Sequence, residues 1–280
     1  MPLCAFEELA CPLDGQPLQR VEQRWCCDSG HSFDIARQGY VHLLPVQNKR
    51  SRDPGDSKDM VAARRRFLAA GHYQPIADAV NRGLLQGAAD RDRLSCMDAG
   101  CGEGYYLRQL AAAAPEKLEL ALLGLDISKW AILSAAKQEK RARWVVGTNA
   151  HLPVLAESLD GILCLFGFPV YGEFSRVLKK GGLLLQADPG PDHLRELREI
   201  IYPELKAPRE QPDTAPEGFR YLEPEGVRYN LTLTSQEQIG DLLAMTPHLY
   251  RAPAEGRERA FQLQSLQVTV DVVIRRLEKL

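Results

Sequence analysis

From Leu94 onward, short apolar runs alternate with amphipathic stretches. Leu94–Ala99, Leu118–Asp126, Trp144–Gly147, Asp160–Phe166 and Gly182–Ala187 have the length and apolar content of buried strands. Tyr106–Ala114, Lys129–Lys140 and Glu173–Leu178 between them carry helical spacing. Strands separated by helices in this way predict an α/β fold with a parallel sheet covered on both faces. Upstream, Asp56 or Ser57 can cap a helix starting near Lys58, with Ala62, Ala63, Phe67 and Leu68 on its apolar face and Gly71 at its end. Downstream, helices are predicted over Leu194–Leu205 and Ser235–Met245. Strands are predicted over Arg228–Thr234 and Gln267–Arg276, where Val, Leu and Thr recur at alternate positions.

The first thirty residues follow neither pattern. They hold Cys4, Cys11, Cys26 and Cys27 with Trp25, among the turn formers Pro12, Asp14, Gly15, Pro17 and Gly30; His31 and Phe33 follow directly. A unit this short cannot build its own core and leans on a metal or on a larger neighbour. Seven cysteines among 280 residues point to reduced thiols or a metal site rather than a disulfide framework. With 35 basic and 37 acidic side chains, binding to nucleic acid by bulk charge is excluded, and any such contact needs a local basic patch. No apolar run approaches the roughly 18–20 residues of a membrane span, and no basic segment opens a secretory leader. A cytoplasmic globular protein without membrane partners is expected.

The chemistry concentrates at Asp98-Ala99-Gly100-Cys101-Gly102-Glu103-Gly104, between a strand and its helix. Gly100 and Gly102 permit a sharp turn and close approach of backbone to a ligand. Asp126 ends the next strand 28 residues after Asp98, where a carboxylate can take both hydroxyls of a ribose. Leu159-Asp160-Gly161 introduces a later strand, and Leu178-Lys179-Lys180-Gly181-Gly182 precedes another. The G-x-G-x-G spacing differs from the G-x-G-x-x-G of dinucleotide folds. The full set resembles class I (Rossmann-like) S-adenosylmethionine-dependent methyltransferases. That resemblance implies cofactor contacts at Asp98, Gly100, Cys101, Gly102, Glu103 and Asp126.

A more specific resemblance is carried by Leu43-Leu44-Pro45-Val46-Gln47-Asn48-Lys49-Arg50-Ser51-Arg52-Asp53-Pro54-Gly55-Asp56-Ser57, by Ala63-Arg64-Arg65, and by Phe67-Leu68-Ala69-Ala70-Gly71-His72-Tyr73-Gln74-Pro75. Pro189-Gly190-Pro191 with His193, and Met245-Thr246-Pro247, fit the same pattern. Over nearly its whole length the chain resembles the 23S rRNA guanine-N1 methyltransferase family. The resemblance implies a zinc-ribbon-like RNA-recognition module over residues 1–42 and a methyltransferase domain over residues 43–280. It also implies a homodimer that embraces an rRNA hairpin, with N1 of a guanine in the helix 35 loop as methyl acceptor. Tyr73 and His193 match further cofactor contacts.

Two departures from the family pattern stand out. Its Cys-x-x-Cys becomes Cys11-Pro12-Leu13-Asp14 here, followed by Cys27-Asp28-Ser29-Gly30-His31. Zinc accepts carboxylate oxygen, so Cys11, Asp14, Cys27 and His31 form an allowed ligand set, weaker for soft metals. Cys4 or Cys26 could substitute, or the ribbon could be metal-free and held by Trp25 and Phe33. The second departure is Phe166-Gly167-Phe168-Pro169-Val170-Tyr171, where the family tends to a Ser/Ala-Pro pair. Phe166, Phe168 and Tyr171 suit stacking on a splayed base. Asp188 is the candidate catalytic carboxylate, with His193 as the other candidate for accepting the N1 proton. Lys49, Arg50 and Arg52, with Arg64, Arg65 and Arg66, are the expected RNA-backbone contacts. A small-molecule methyltransferase and a non-catalytic RNA-binding or ribosome-assembly factor are the rival readings.

Overall fold

A computed structural model describes residues 3–48, 51, 53–88, 91–205 and 214–280. In chain order the strands are β1 (Leu3–Ala5), β2 (Gln19–Val21), β3 (Arg24–Cys26), β4 (Ser32–Asp34), β5 (Tyr40–His42), β6 (Arg93–Ala99), β7 (Glu119–Asp126), β8 (Arg143–Val146), β9 (Leu159–Leu165), β10 (Leu178–Pro189), β11 (Phe219–Tyr221), β12 (Glu225–Leu233) and β13 (Leu266–Lys279). The helices are α1 (Lys58–Ala69), α2 (Gln74–Leu85), α3 (Tyr105–Ala113), α4 (Lys129–Gln138), α5 (Tyr171–Val177), α6 (Arg195–Ile201), α7 (Gln236–Ala244), α8 (His248–Arg251) and α9 (Ala254–Phe261). Ser57 caps α1, its hydroxyl accepting from the Met60 amide. Pro75 sits in the first turn of α2, where its missing N–H costs nothing. Gly83 lies inside α2 because Leu185 and Arg276 press on it: a Cβ there would stand 3.0 Å from Leu185 Cδ2.

The main sheet runs β11-β13-β10-β9-β6-β7-β8-β5. Pairing is parallel from β10 through β5, whereas β13 lies antiparallel to β10, β11 and β12. The expected parallel sheet is therefore mixed at one end. There the alternating pattern of β12 and β13 leaves one face half-exposed, as antiparallel strands tolerate. From β6 the chain steps outward to β7 and β8, then returns to the other side of β6 as β9. That reversal opens a crevice at the carboxyl ends of β6 and β9, the usual ligand position in open α/β sheets. The helix expected over residues 194–205 stops at Ile201, because Pro203 disfavours helical backbone in the residue before it.

The N-terminal segment is tied into this sheet at both ends. β1 pairs with β7 (Leu3 opposite Leu120), and β5 pairs with β8 (Tyr40 opposite Trp144). Between them β2, β3 and β4 form a small antiparallel sheet of their own. Residues 42 and 43 thus mark no break in the packing. Trp25 is buried in one cluster with Phe6, Leu9, Leu18 and Phe174, and the Arg143 guanidinium lies 4.8 Å over its ring. The neighbour on which this short unit leans is the main sheet itself.

Candidate active site and metal centre

Asp98, Asp126, Asn149 and Phe166 all lie at or just past the carboxyl ends of neighbouring strands, around the loop that follows β6. Gly100 has φ +99°, and nothing stands within 4 Å of where its Cβ would be. Gly104 is required differently: a Cβ there would lie 2.5 Å from Cη2 of buried Trp144. The Gly100 and Cys101 amides donate to Leu125 O at 2.8 and 3.0 Å. The Gly102 and Ser128 amides donate to Asp126 at 2.9 and 2.8 Å, one to each carboxylate oxygen. A carboxylate has about four acceptor positions, so Asp126 can still take two ribose hydroxyls.

Asp98 is buried and its Oδ2 finds no partner. Burial, with Asp126 close by, pushes its carboxyl up to about 8. Burial raises Asp126 as well. The Tyr106 hydroxyl and Asn149 Oδ1 are also buried without partners, and Asn149 Nδ2 donates to Ala99 O at 3.4 Å. Orphaned polar atoms beside an open Gly100 suit a polar ligand. Two desolvated carboxylates suit a cationic one. S-adenosylmethionine, with its ammonium and sulfonium charges and its ribose, fits this donor set.

Tyr73, at the start of α2, is buried, with its hydroxyl 3.5 Å from His193 Nε2. Phe166 packs on both rings, 6.0 Å from Tyr73 and 5.9 Å from His193 between centroids, and adopts φ +55°. His193 Nδ1 accepts the Asp271 amide at 3.3 Å, which assigns the proton to Nε2. Burial pulls its pKa down to about 4, so the ring is neutral at physiological pH. Tyr73, His193 and Phe166 thus form one aromatic cluster just past the end of β9.

The remaining candidates are placed differently. The Cys101 thiol is buried and points at Gly102 O (3.6 Å), leaving only its backbone toward the loop. The Glu103 carboxylate takes both contacts of Arg108 (3.0 and 2.8 Å) and Gln138 Nε2 (2.6 Å), so its side chain braces the loop. Asp188 accepts from Arg275 Nη1 at 2.8 Å, and burial raises its pKa against that pairing. Tyr171 donates to Gln186 (3.2 Å) and packs on Phe219, whereas Phe168 is 84% exposed. Arg64 pairs with Asp56 and Arg66 with Asp241, which offsets their charge; Arg65 is exposed. Lys49, Arg50 and Arg52 lie outside the described residues. The Asp53–Ser57 segment braces the start of α4, with Ser128 Oγ donating to Asp56 O at 2.6 Å.

Tyr106 and Asn149 were not singled out as site residues by sequence. The available signal was slight: an aromatic in the first turn after the glycine loop, and a polar residue just past a strand end. Since Asp126 ties down the loop and still offers two acceptors, Asp126→Ala should weaken S-adenosylmethionine binding by about 10- to 100-fold, at 1.5–3 kcal/mol per charge-assisted bond. Asp188→Ala breaks only the Arg275 pair and should leave affinity within about threefold, as expected for a residue making no ligand bond. Calorimetry on both variants checks the contrast, and equal losses would overturn this placement of the cofactor.

In the ribbon, Cys11, Asp14, Cys27 and His31 bring one donor atom each to within 4.8 Å of one another. Cys11 Sγ and Cys27 Sγ lie 3.5 and 3.4 Å from His31 Nδ1, Cys27 Sγ lies 3.5 Å from Asp14 Oδ2, and His31 Nδ1 lies 3.0 Å from that oxygen. Zinc bonds of 2.0–2.3 Å at tetrahedral angles separate ligand atoms by roughly 3.3–3.8 Å, so the set fits zinc after small shifts of the ligand atoms. The alternative donors point elsewhere: Cys4 to Glu119 (3.7 Å) and Cys26 to Ser32 (3.6 Å). A hydrogen bond with Cys11 is the main cause that holds the Asp14 carboxyl well below the usual range, and burial pushes the Cys11 thiol up to about 11. Such shared protons are what a divalent cation displaces.

This fold and this donor set define a class I S-adenosylmethionine-dependent methyltransferase with an N-terminal zinc ribbon. Residues 9–52 match a family model described as RlmA, N-terminal, and residues 96–182 one described as Methyltransferase domain. The chain is 33% identical to the 23S rRNA (guanine(748)-N(1))-methyltransferase of Streptomyces fradiae over 94% of each chain. Two other relatives carry the name 23S rRNA (guanine-N(1)-)-methyltransferase provisionally. One, from Micromonospora griseorubida, is 36% identical over 95% of each chain; the other, from Bacillus subtilis (strain 168), is 31% identical over 96% of each. The chain belongs to the 23S rRNA guanine-N1 methyltransferase family.

Proposed function

We propose that this protein methylates N1 of a guanine in a hairpin of 23S rRNA, acting as a zinc-bearing homodimer in the cytoplasm. The near full-length likeness to an enzyme named for guanine N1 carries the reading of the reaction. The family resemblance supports the dimer and the location, and no described helix is long and apolar enough to cross a membrane. When bound, S-adenosylmethionine supplies an electrophilic methyl group. Asp98 would hold the ammonium end and Asp126 the ribose, and that orientation is the main requirement of an in-line displacement. Tyr73, Phe166 and His193 would wall the reacting end of the crevice and exclude water.

Phe166 and the exposed Phe168 present faces on which a splayed guanine can stack. The N1 proton must leave, and neutral His193, with Nδ1 occupied and Nε2 protonated, is a poor acceptor. Asp188, oriented by Arg275 and raised by burial, takes that role. The test is a transfer assay with labelled S-adenosylmethionine, offering 23S rRNA hairpin transcripts beside a small-molecule panel. N1-methylguanine mapped by mass in one hairpin is the expected product. Label in a small molecule only, or in nothing, would overturn the proposal.

A further inference from the structure

We propose that a groove between the ribbon's last turn and the end of α4 tracks the sugar-phosphate backbone of the RNA substrate. The groove encloses about 580 Å³ and is lined by Arg37, Gln38, Lys137, Lys140 and Trp144. Arg37, Lys137 and Lys140 are all exposed, and among the described residues none of the three takes part in an ion pair. That contrasts with the basic residues of α1, where Arg64 and Arg66 are neutralised by Asp56 and Asp241. The acidic neighbour on this rim, Glu139, is taken by Arg141.

Lysines near a helix C-terminus offset the macrodipole, which accounts for Lys137 and Lys140 taken singly. It does not account for Arg37, a hundred residues earlier, facing the same space. Arg37 is delivered by a tight turn: Gly39, at φ +93°, donates to Ala36 O at 2.7 Å, and Ala36 donates to Tyr40 O at 2.8 Å. Tyr40 begins β5, which is fixed on β8, and α4 starts beside Asp126. Lys137 lies in the last turn of α4, and Arg37 and Lys140 sit in the short turns that lead into β5 and β8.

Three separated cations along an open groove match an extended polyanion better than a single bound phosphate, which needs convergent donors. The Gln38 amide adds a partner for a 2′-hydroxyl. β8 carries Trp144 at the groove and ends at Val146, three residues before Asn149 of the crevice. The inference rests on the proposed RNA substrate and adds the path by which that RNA lies on the protein.

The test compares wild type with the R37E/K137E/K140E variant, using the hairpin transcript that wild type methylates. RNA affinity is read by fluorescence anisotropy between 50 and 200 mM salt. Each phosphate contact contributes roughly 0.7–0.9 to the slope of log K against log salt, so the variant should lose about 30-fold less affinity over that range. Its KM for RNA should rise at least 10-fold, while S-adenosylmethionine affinity and kcat stay unchanged. The milder K137Q/K140Q variant should show about two-thirds of the slope change, which guards against misfolding of the triple variant. An unchanged slope and KM in folded variants would overturn the groove. Failure of wild type to methylate any rRNA would instead overturn the functional reading on which it rests.

Discussion

Asp98→Asn is expected to weaken S-adenosylmethionine binding by about 10²–10³-fold, the usual cost of removing one partner of a buried charge pair. The same change should stabilise the ligand-free protein at pH 8. Asp98 is buried, one oxygen has no partner, and its pKa stands near 8 against 3.8 for an ordinary carboxyl. Between those values the unfolded chain has released this proton and the folded chain still holds it. Stability from this group is therefore fully present below pH 3.8 and is lost as pH rises toward 8. The asparagine amide does not titrate, and it can donate toward Asp126. The gain should be about 1–3 kcal/mol at pH 8, near zero at pH 4, and worth about 2–4 °C per kcal/mol in Tm. Saturating cofactor should reverse the order by stabilising wild type alone. Thermal unfolding at several pH values, with and without ligand, reads all of this. Equal pH dependence in the two proteins would overturn the burial of a raised Asp98 carboxyl, and unchanged cofactor affinity would remove Asp98 from the cofactor site.

The strands from Leu94 to Ala187 were legible because strands buried on both faces must be apolar runs, and glycines or acidic residues punctuate their ends. The three-residue strands of the ribbon were not. Gln19–Val21 is exposed throughout and carries no burial signal. Nor could β1 or β5 be assigned to the main sheet, since partners as distant as Leu3 and Leu120 leave no local trace. The same divide runs through the site. The placement of Asp98, Gly100 and Asp126 at adjoining strand ends was legible because a strand-to-helix turn restricts residue types at fixed spacing. Glu103 entered the cofactor set through the methyltransferase resemblance, and only the fold reveals Arg108 and Gln138 closing on its carboxylate. The α1 arginines read as an RNA-facing run because Asp241 lies 175 residues from Arg66. The groove cations come singly from two segments and form no run at all.

Zinc retention should depend on Asp14 in both directions. Protein purified without chelator is expected to carry about one zinc per chain, the stoichiometry of a closed structural site. Asp14→Cys should tighten retention by at least about 10-fold, because a thiolate replaces an oxygen donor, and Asp14→Ala should loosen it by about 100-fold or more. Local unfolding after metal loss should be confined. β2, β3 and β4 contribute few apolar groups beyond Trp25, whereas β1 and β5 are held by β7 and β8 without any help from metal. Limited proteolysis should therefore cut Asp14→Ala between residues 11 and 31, while S-adenosylmethionine affinity stays within about twofold, as expected for sites sharing no ligands. Elemental analysis finding no zinc in the wild type would sink the assignment. Trp25, wedged beneath Arg143 and against Phe6 and Leu18, would then be what holds the ribbon on the sheet.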